Sequence, residues 1–254
     1  MPLPRIFTLV FFILFSSHSL SQMSLDKRRI LFSDGDRRDE ISAMNISSEF
    51  QSFRISITDM EMTENGRLKT ADNYAFSARE FIRVGPRLGK NVPPGSAQKF
   101  RVLKRSQPEE DGEYRTHITI ETLLPPAQDH DEGFLVRPSY RYSIPVIIRV
   151  GELEATAKIL SPMLEEHKNN ATRKVTFTLY KDGNRSIYGD VELIDAESNL
   201  VIKKQKGFAV YAEIDQAKFF IDVTDVTLPN NLLLRFSEDP EFGGNAIAET
   251  NFTL

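Results

Sequence analysis

Asp129, His130, Asp131 and Glu132 form the one cluster of potential metal ligands to weigh in this 254-residue chain. Carboxylate oxygens and an imidazole suit a divalent cation, but consecutive residues converge on one ion only when a shaped loop turns them inward. The same four residues have the composition of a solvated acidic loop between two strands, which is the reading we expect. The chain has no cysteine, which excludes a thiol nucleophile and a zinc–thiolate site. Of its four histidines, His18 lies in the N-terminal leader, His117 on a strand, His130 between two aspartates and His167 in a polar stretch. No serine sits in a nucleophile-elbow context, and no glycine-rich phosphate loop follows a strand. Gly243–Gly244 is an isolated pair in a terminal turn. These residues predict a protein that is not an enzyme and takes no cofactor and no metal.

The elements around them are strands. Phe53, Ile55 and Ile57 alternate with Arg54, Ser56 and Thr58, and the period of two recurs at Phe81–Val84, Phe100–Leu103, Ile118–Ile120, Val175–Leu179, Val191–Ile194, Phe208–Tyr211, Phe219–Val223 and Leu232–Phe236. Turn signals separate the runs at Glu64-Asn65-Gly66, Pro93-Pro94-Gly95, Lys181-Asp182-Gly183-Asn184 and Pro229-Asn230-Asn231. Many short strands so punctuated predict an all-β chain of sandwiches. The composition changes near Gly151, which divides the chain into 22–150 and 152–254. The polar stretch Glu165–Asn170 is expected to be a loop or short turn, with new strands starting at Lys174.

The first residues have a leader's layout. Arg5 precedes the apolar run Ile6–Phe15 and the small-residue stretch Ser16–Ser21. The apolar core of about ten residues is half of what spans a bilayer, so residues 1–21 are expected to be a signal peptide cleaved near Ser21. The exported chain is expected to be soluble, without membrane insertion. Its formal charge of −4 supports no nucleic-acid partner.

One strand stands out. From Val136 to Val150 the even positions are Val, Pro, Tyr, Tyr, Ile, Val, Ile and Val, while the odd ones are mostly Arg or Ser up to Ile147. Such a run is longer than a typical sandwich strand, and a long apolar edge strand is a liability unless something pairs with it.

Several segments carry a resemblance. Ser24–Phe32, Arg83-Val84-Gly85-Pro86, Val92–Arg101, Gly112–His117 and Ser143–Arg149 are similar, in order and spacing, to the periplasmic chaperones of the chaperone–usher pilus pathway. Gly183–Asp190, Gly207–Glu213 and Gly243–Glu249 extend the likeness through the second half, and several of these segments resemble the archaic branch in particular.

The resemblance implies two immunoglobulin-like β-sandwich domains in an L or boomerang arrangement. It implies a periplasmic chaperone that caps pilus (fimbrial) subunits by donor-strand complementation and delivers them to an outer-membrane usher. Val136, Tyr140, Tyr142 and Ile144 are the expected donor side chains, worth on the order of 6–12 kcal/mol gross if fully buried in a subunit, before the costs of ordering and association. The series begins either before or after Pro138, which lacks an amide donor. Val146–Val150 is assigned to the chaperone's own sandwich. The family holds the subunit's C-terminal carboxylate with basic residues. Arg29 matches the first-strand arginine, Pro145 stands where the family has a lysine, and Arg115 is the substitute. Arg141 and Arg149 rank below these two. The rival reading is a secreted two-domain adhesion or ligand-binding protein, since sandwiches serve many functions.

Overall fold

The computed structural model describes residues 23–124, 139–167 and 172–254. The leader with its cleavage site, the Asp129–Glu132 cluster and Val136 lie outside the described residues. So do the last three residues of the Glu165–Asn170 stretch. The chain is all-β. Its first half forms β1 (Met23–Leu25), β2 (Ile30–Phe32), β3 (Arg38–Asn45), β4 (Gln51–Thr58), β5 (Met60–Met62), β6 (Leu68–Thr70), β7 (Ile82–Gly85), β8 (Leu88–Val92), β9 (Ala97–Lys104), β10 (Gly112–Leu123) and β11 (Arg141–Val150). The second half forms β12 (Ala155–His167), β13 (Thr172–Gly183), β14 (Ile187–Asp195), β15 (Val201–Val210), β16 (Gln216–Asp222), β17 (Asn231–Glu238) and β18 (Ile247–Thr253).

Each half is a sandwich. In the first, a sheet of order β1-β3-β9-β7 packs on one of order β2-β11-β10-β4-β8; in the second, β12-β13-β16 packs on β15-β14-β17-β18. The alternation works as expected on β4, where Phe53 and Ile55 are buried while Arg54 and Ser56 are exposed. Phe32, Ile41, Phe53, Phe100 and Ile118 belong to the first core, and Phe177, Leu179, Val191, Leu234 and Phe236 to the second. Two residues of the first half, Met62 and Ile147, are buried in the second core's cluster, so the sandwiches meet through apolar side chains.

The stretch at Glu165 departs from expectation. β12 continues through Glu165 and Glu166 to His167, paired with β13 as far as Thr172. Among the described residues only one edge of β12 is paired with another strand, and its residues Leu160 and Met163 are exposed. An edge strand of this kind needs little apolar content, so its polar end resembles a loop. A bulge between Leu160 and Met163, with Ser161 at φ 50°, further breaks its alternation.

The hairpin β5–β6 bridges the halves. Its tip, the turn Glu64-Asn65-Gly66, rests on β16, where Lys218 N donates to Glu64 O at 2.8 Å. Gly66 has φ +69°, and a Cβ there would lie 2.6 Å from the Phe219 ring. The turn needs glycine both for its left-handed backbone and for this close approach.

Candidate functional site

β2, β11 and β10 are neighbours in one sheet, and successive side chains point to opposite faces. Ile30 and Phe32, Ile144, Val146 and Ile148, and Ile118 and Ile120 turn into the first core. The other face carries cross-strand rows. Arg149 lies opposite Glu113, and Ile147 opposite both Arg115 and Leu31. Pro145 lies opposite His117, one step before the Val146–Ile30 pair that sets Arg29 beside it. Ser143 then faces Thr119, and Arg141 faces Glu121. The second sandwich meets these rows, and the Arg29–Pro145–His117 row is buried beside the first two.

Two of the basic residues in the contact are neutralised within the chain. Arg149 Nε donates to Glu113 Oε2 at 2.9 Å, and the same oxygen accepts from Ser186 N at 3.1 Å. Arg115 donates to both oxygens of Glu213, Nη2 to Oε1 at 2.7 Å and Nη1 to Oε2 at 3.1 Å, and Nη2 also donates to Met60 O at 2.7 Å. Met62 N and the Tyr74 hydroxyl complete the carboxylate's donors at 2.7 and 2.9 Å. Burial works to raise the Glu213 carboxyl, but the hydrogen bonds and charge of Arg115 outweigh it and hold it below its ordinary range.

Arg29 is different. It is 3% exposed, and none of its three guanidinium nitrogens has a hydrogen-bond partner among the described residues. Its charge is met by aromatic faces: the guanidinium carbon lies 4.0 Å from the centroid of Tyr188 and 5.5 Å from those of Tyr211 and Phe242. Cation–π contacts are worth about 2 kcal/mol when desolvated, less than a buried guanidinium loses by leaving its donors unmet. Burial therefore lowers its pKa, against the opposing influence of Tyr211 and Glu113. With the Arg115–Glu213 and Arg149–Glu113 pairs closed, Arg29 remains as an excess cation whose planar fork matches a carboxylate.

Tyr211 ties the site together. Its ring lies 3.6 Å from the Arg115 guanidinium carbon and 6.3 Å, edge to face, from the His117 ring. His117 is fully buried, and neither ring nitrogen has a hydrogen-bond partner among the described residues. Burial, then the charges of Arg115 and Arg29, push its pKa down to about 3, so the imidazole is neutral.

The structure brings Arg29 and Arg115 together around Tyr211, with only Arg115 already ion-paired. Tyr142 packs partly buried against the first core, and Tyr140 N donates to Thr122 Oγ1 at 2.9 Å on the approach to β11. Ile144 requires a correction. It was expected to be a donor side chain, but it is 6% exposed and lies in the first core opposite Ile118, because the even positions of β11 face its own sandwich. The assignment of Val146–Val150 to that sandwich also needs refinement, since Ile147 on the opposite face joins the second core. Arg141 pairs with Glu121 at the surface. His117, Glu213, Tyr188 and Phe242 escaped the sequence reading as site residues. His117 and Glu213 end two of the segments that carried the resemblance, but nothing local says that they converge.

No protein-family model matches the chain, and no curated protein sequence matches it. Solved structures do. A chain of the CsuC–CsuE chaperone–tip adhesion subunit pre-assembly complex, from the archaic chaperone-usher Csu pili of Acinetobacter baumannii, aligns over 90% of this chain and 98% of its own. The TM-score is 0.52 and the identity 12%. The CupB2 chaperone of Pseudomonas aeruginosa aligns over 91% of this chain and 100% of its own, with a TM-score of 0.50 and 14% identity. Identity at this level speaks for architecture alone, and the chain therefore has the two-sandwich fold of the pilus chaperones.

Proposed function

We propose that this chain is a periplasmic chaperone of pilus subunits, exported with removal of residues 1–21. It binds a subunit by lending it a strand and delivers it to an outer-membrane usher. The observation that carries this reading is the outer edge of β11. β10 pairs with β11 from Arg141 to Val150, whereas β2 covers the other edge only over Val146–Ile148. Among the described residues no strand pairs with that side of β11 at Arg141, Ser143 or Pro145. Such an edge is a template for another chain's backbone. Tyr140, with Val136 further up the chain, supplies side chains for the groove of an incomplete subunit, and Tyr142, half-buried against the first core, adds only the part of its ring that the core leaves exposed. Arg29, the excess cation beside the lower end of this edge, takes the subunit's terminal carboxylate, and Arg115 holds the site's geometry through Glu213. The fold shared with a chain from a chaperone–subunit complex supports the same reading.

Co-expression with pilus subunits from the same genome tests it. A one-to-one complex is expected, and the double variant Tyr140→Asp, Tyr142→Asp should abolish it. A complex of undiminished yield in that variant would sink the strand-lending reading.

A further inference from the structure

His117 combines three features that a purely structural histidine rarely shows together. It is completely buried, both its ring nitrogens lack a hydrogen-bond partner among the described residues, and it stands in a row with another buried donor in the same condition, Arg29. Burying a polar ring unmet costs free energy that an apolar residue at this position would not incur. Between the two lies Pro145, which has neither an amide hydrogen nor a side chain able to satisfy either of them. Arg29 and His117 are two strands apart, about 10 Å between main chains at the usual sheet spacing. All three residues are buried in this structure, so a carboxylate held from both sides above the proline ring enters by displacing what covers the row, and the Tyr211 ring is the side chain near both donors.

The surroundings favour an anion. The charges that act on the ring are Arg115 on its own strand and Arg29 beside β2. β4 places Thr58 opposite it, β11 places Pro145, and the second sandwich places the Tyr211 ring. Asp59, next along from Thr58, is engaged by the hydroxyls of Thr116 and Ser77. The adjoining row toward the surface is Ser143–Thr119, whose hydroxyl oxygens are 2.6 Å apart, so a chain end arriving along β11 crosses hydroxyls before it reaches the row.

We propose that His117 completes the anion site with Arg29, donating a ring N–H to the terminal carboxylate of the bound partner. It would do there the work that a lysine at the position of Pro145 would otherwise do. The inference rests on the carboxylate-anchoring reading above. A neutral imidazole has one N–H to give, and the arriving anion selects the tautomer that gives it.

Nitrogen NMR of the protein labelled at both histidine and arginine tests this without any substitution. The probe is N-acetyl-dialanine with a free carboxylate, compared with its C-terminal amide. The carboxylate should shift the His117 ring nitrogens and the Arg29 Nε together, and the amide should shift neither. His117→Leu should weaken carboxylate binding by about tenfold or more, the effect of one hydrogen bond to a charged group, whereas His117→Gln, which keeps an N–H, should bind within about threefold of the parent. If the carboxylate moves Arg29 but not His117, and His117→Leu binds like the parent, the histidine's role is overturned and the Arg29 anchor stands. If neither residue responds, the carboxylate reading fails, and this inference fails with it.

Discussion

Arg115 and Glu213, ninety-eight positions apart, are joined across the two sandwiches by paired hydrogen bonds of 2.7 and 3.1 Å. The Tyr211 ring is stacked 3.6 Å from the guanidinium carbon. The pair fixes how β10 meets the segment after β15, and so positions the rings that enclose Arg29.

Glu213→Gln should destabilise the protein by about 3–5 kcal/mol, since it leaves a buried guanidinium without its counter-charge; urea unfolding at neutral pH measures this. The pair also has a pH signature. The Glu213 carboxyl is held below its ordinary value, so its contribution is fully present above the unfolded pKa of about 4.3 and is lost as pH falls through the lower, folded value. The glutamine variant should lack this acid-side loss. An identical acid profile in the two proteins would count against the pair's weight.

Arg29 and Arg115 should separate stability from binding. Arg115→Met strands Glu213 and should cost about 3–5 kcal/mol. Arg29→Met removes an unmet charge and keeps an unbranched apolar stem against Tyr188, so it should melt within about 1 kcal/mol of the parent or above it. The Arg29 variant should nevertheless lose subunit complex on co-expression. A stable Arg29→Met protein that still yields full complex would refute its anchoring role.

His117 should make the protein acid-sensitive above the range where carboxylates titrate. Its folded pKa of about 3 lies below the ordinary 6.5. The unfolded chain therefore binds the extra proton first, and stability falls as pH drops from about 6.5 toward about 3. The slope within that window approaches ~1.4 kcal/mol per pH unit. Unfolding curves between pH 7 and 4.5 should show this slope in the parent and a flatter one in His117→Gln.

Gly189→Ala should damage folding of the second sandwich. Gly189 pairs with Glu238 in the β14–β17 ladder, and a Cβ there would lie 2.0 Å from the Ser237 carbonyl oxygen. Backbone cannot yield as a flexible side chain can, so the loss should reach about 3 kcal/mol or more. Near-parental thermal stability would show that the ladder shifts more easily than this contact implies.

Strand positions were legible because alternation is a local property. Phe53–Ile57 and Leu232–Phe236 each place one apolar face toward one core, and any chain with that pattern must bury it. β11 was legible over Arg141–Val150 for the same reason, with Tyr140 outside the strand, but its faces were not. Both faces of Ile144–Ile148 are buried, the even residues in the first core and Ile147 in the second. Alternation cannot tell which buried face belongs to which partner, and that ambiguity misplaced Ile144.

The anion site shows where local reasoning ends. The sequence by itself determined an all-β chain of two sandwiches, an arginine just ahead of β2 and a proline where a cation was expected. Only the tertiary structure decided that Arg115 is committed to Glu213, that Arg29 is enclosed by Tyr188, Tyr211 and Phe242, and that His117 shares its row. Those relationships join residues up to about two hundred positions apart. They arise only when two separately folded sheets dock, because an ion pair or a stacked ring depends on distance in space and leaves no periodic trace along the chain.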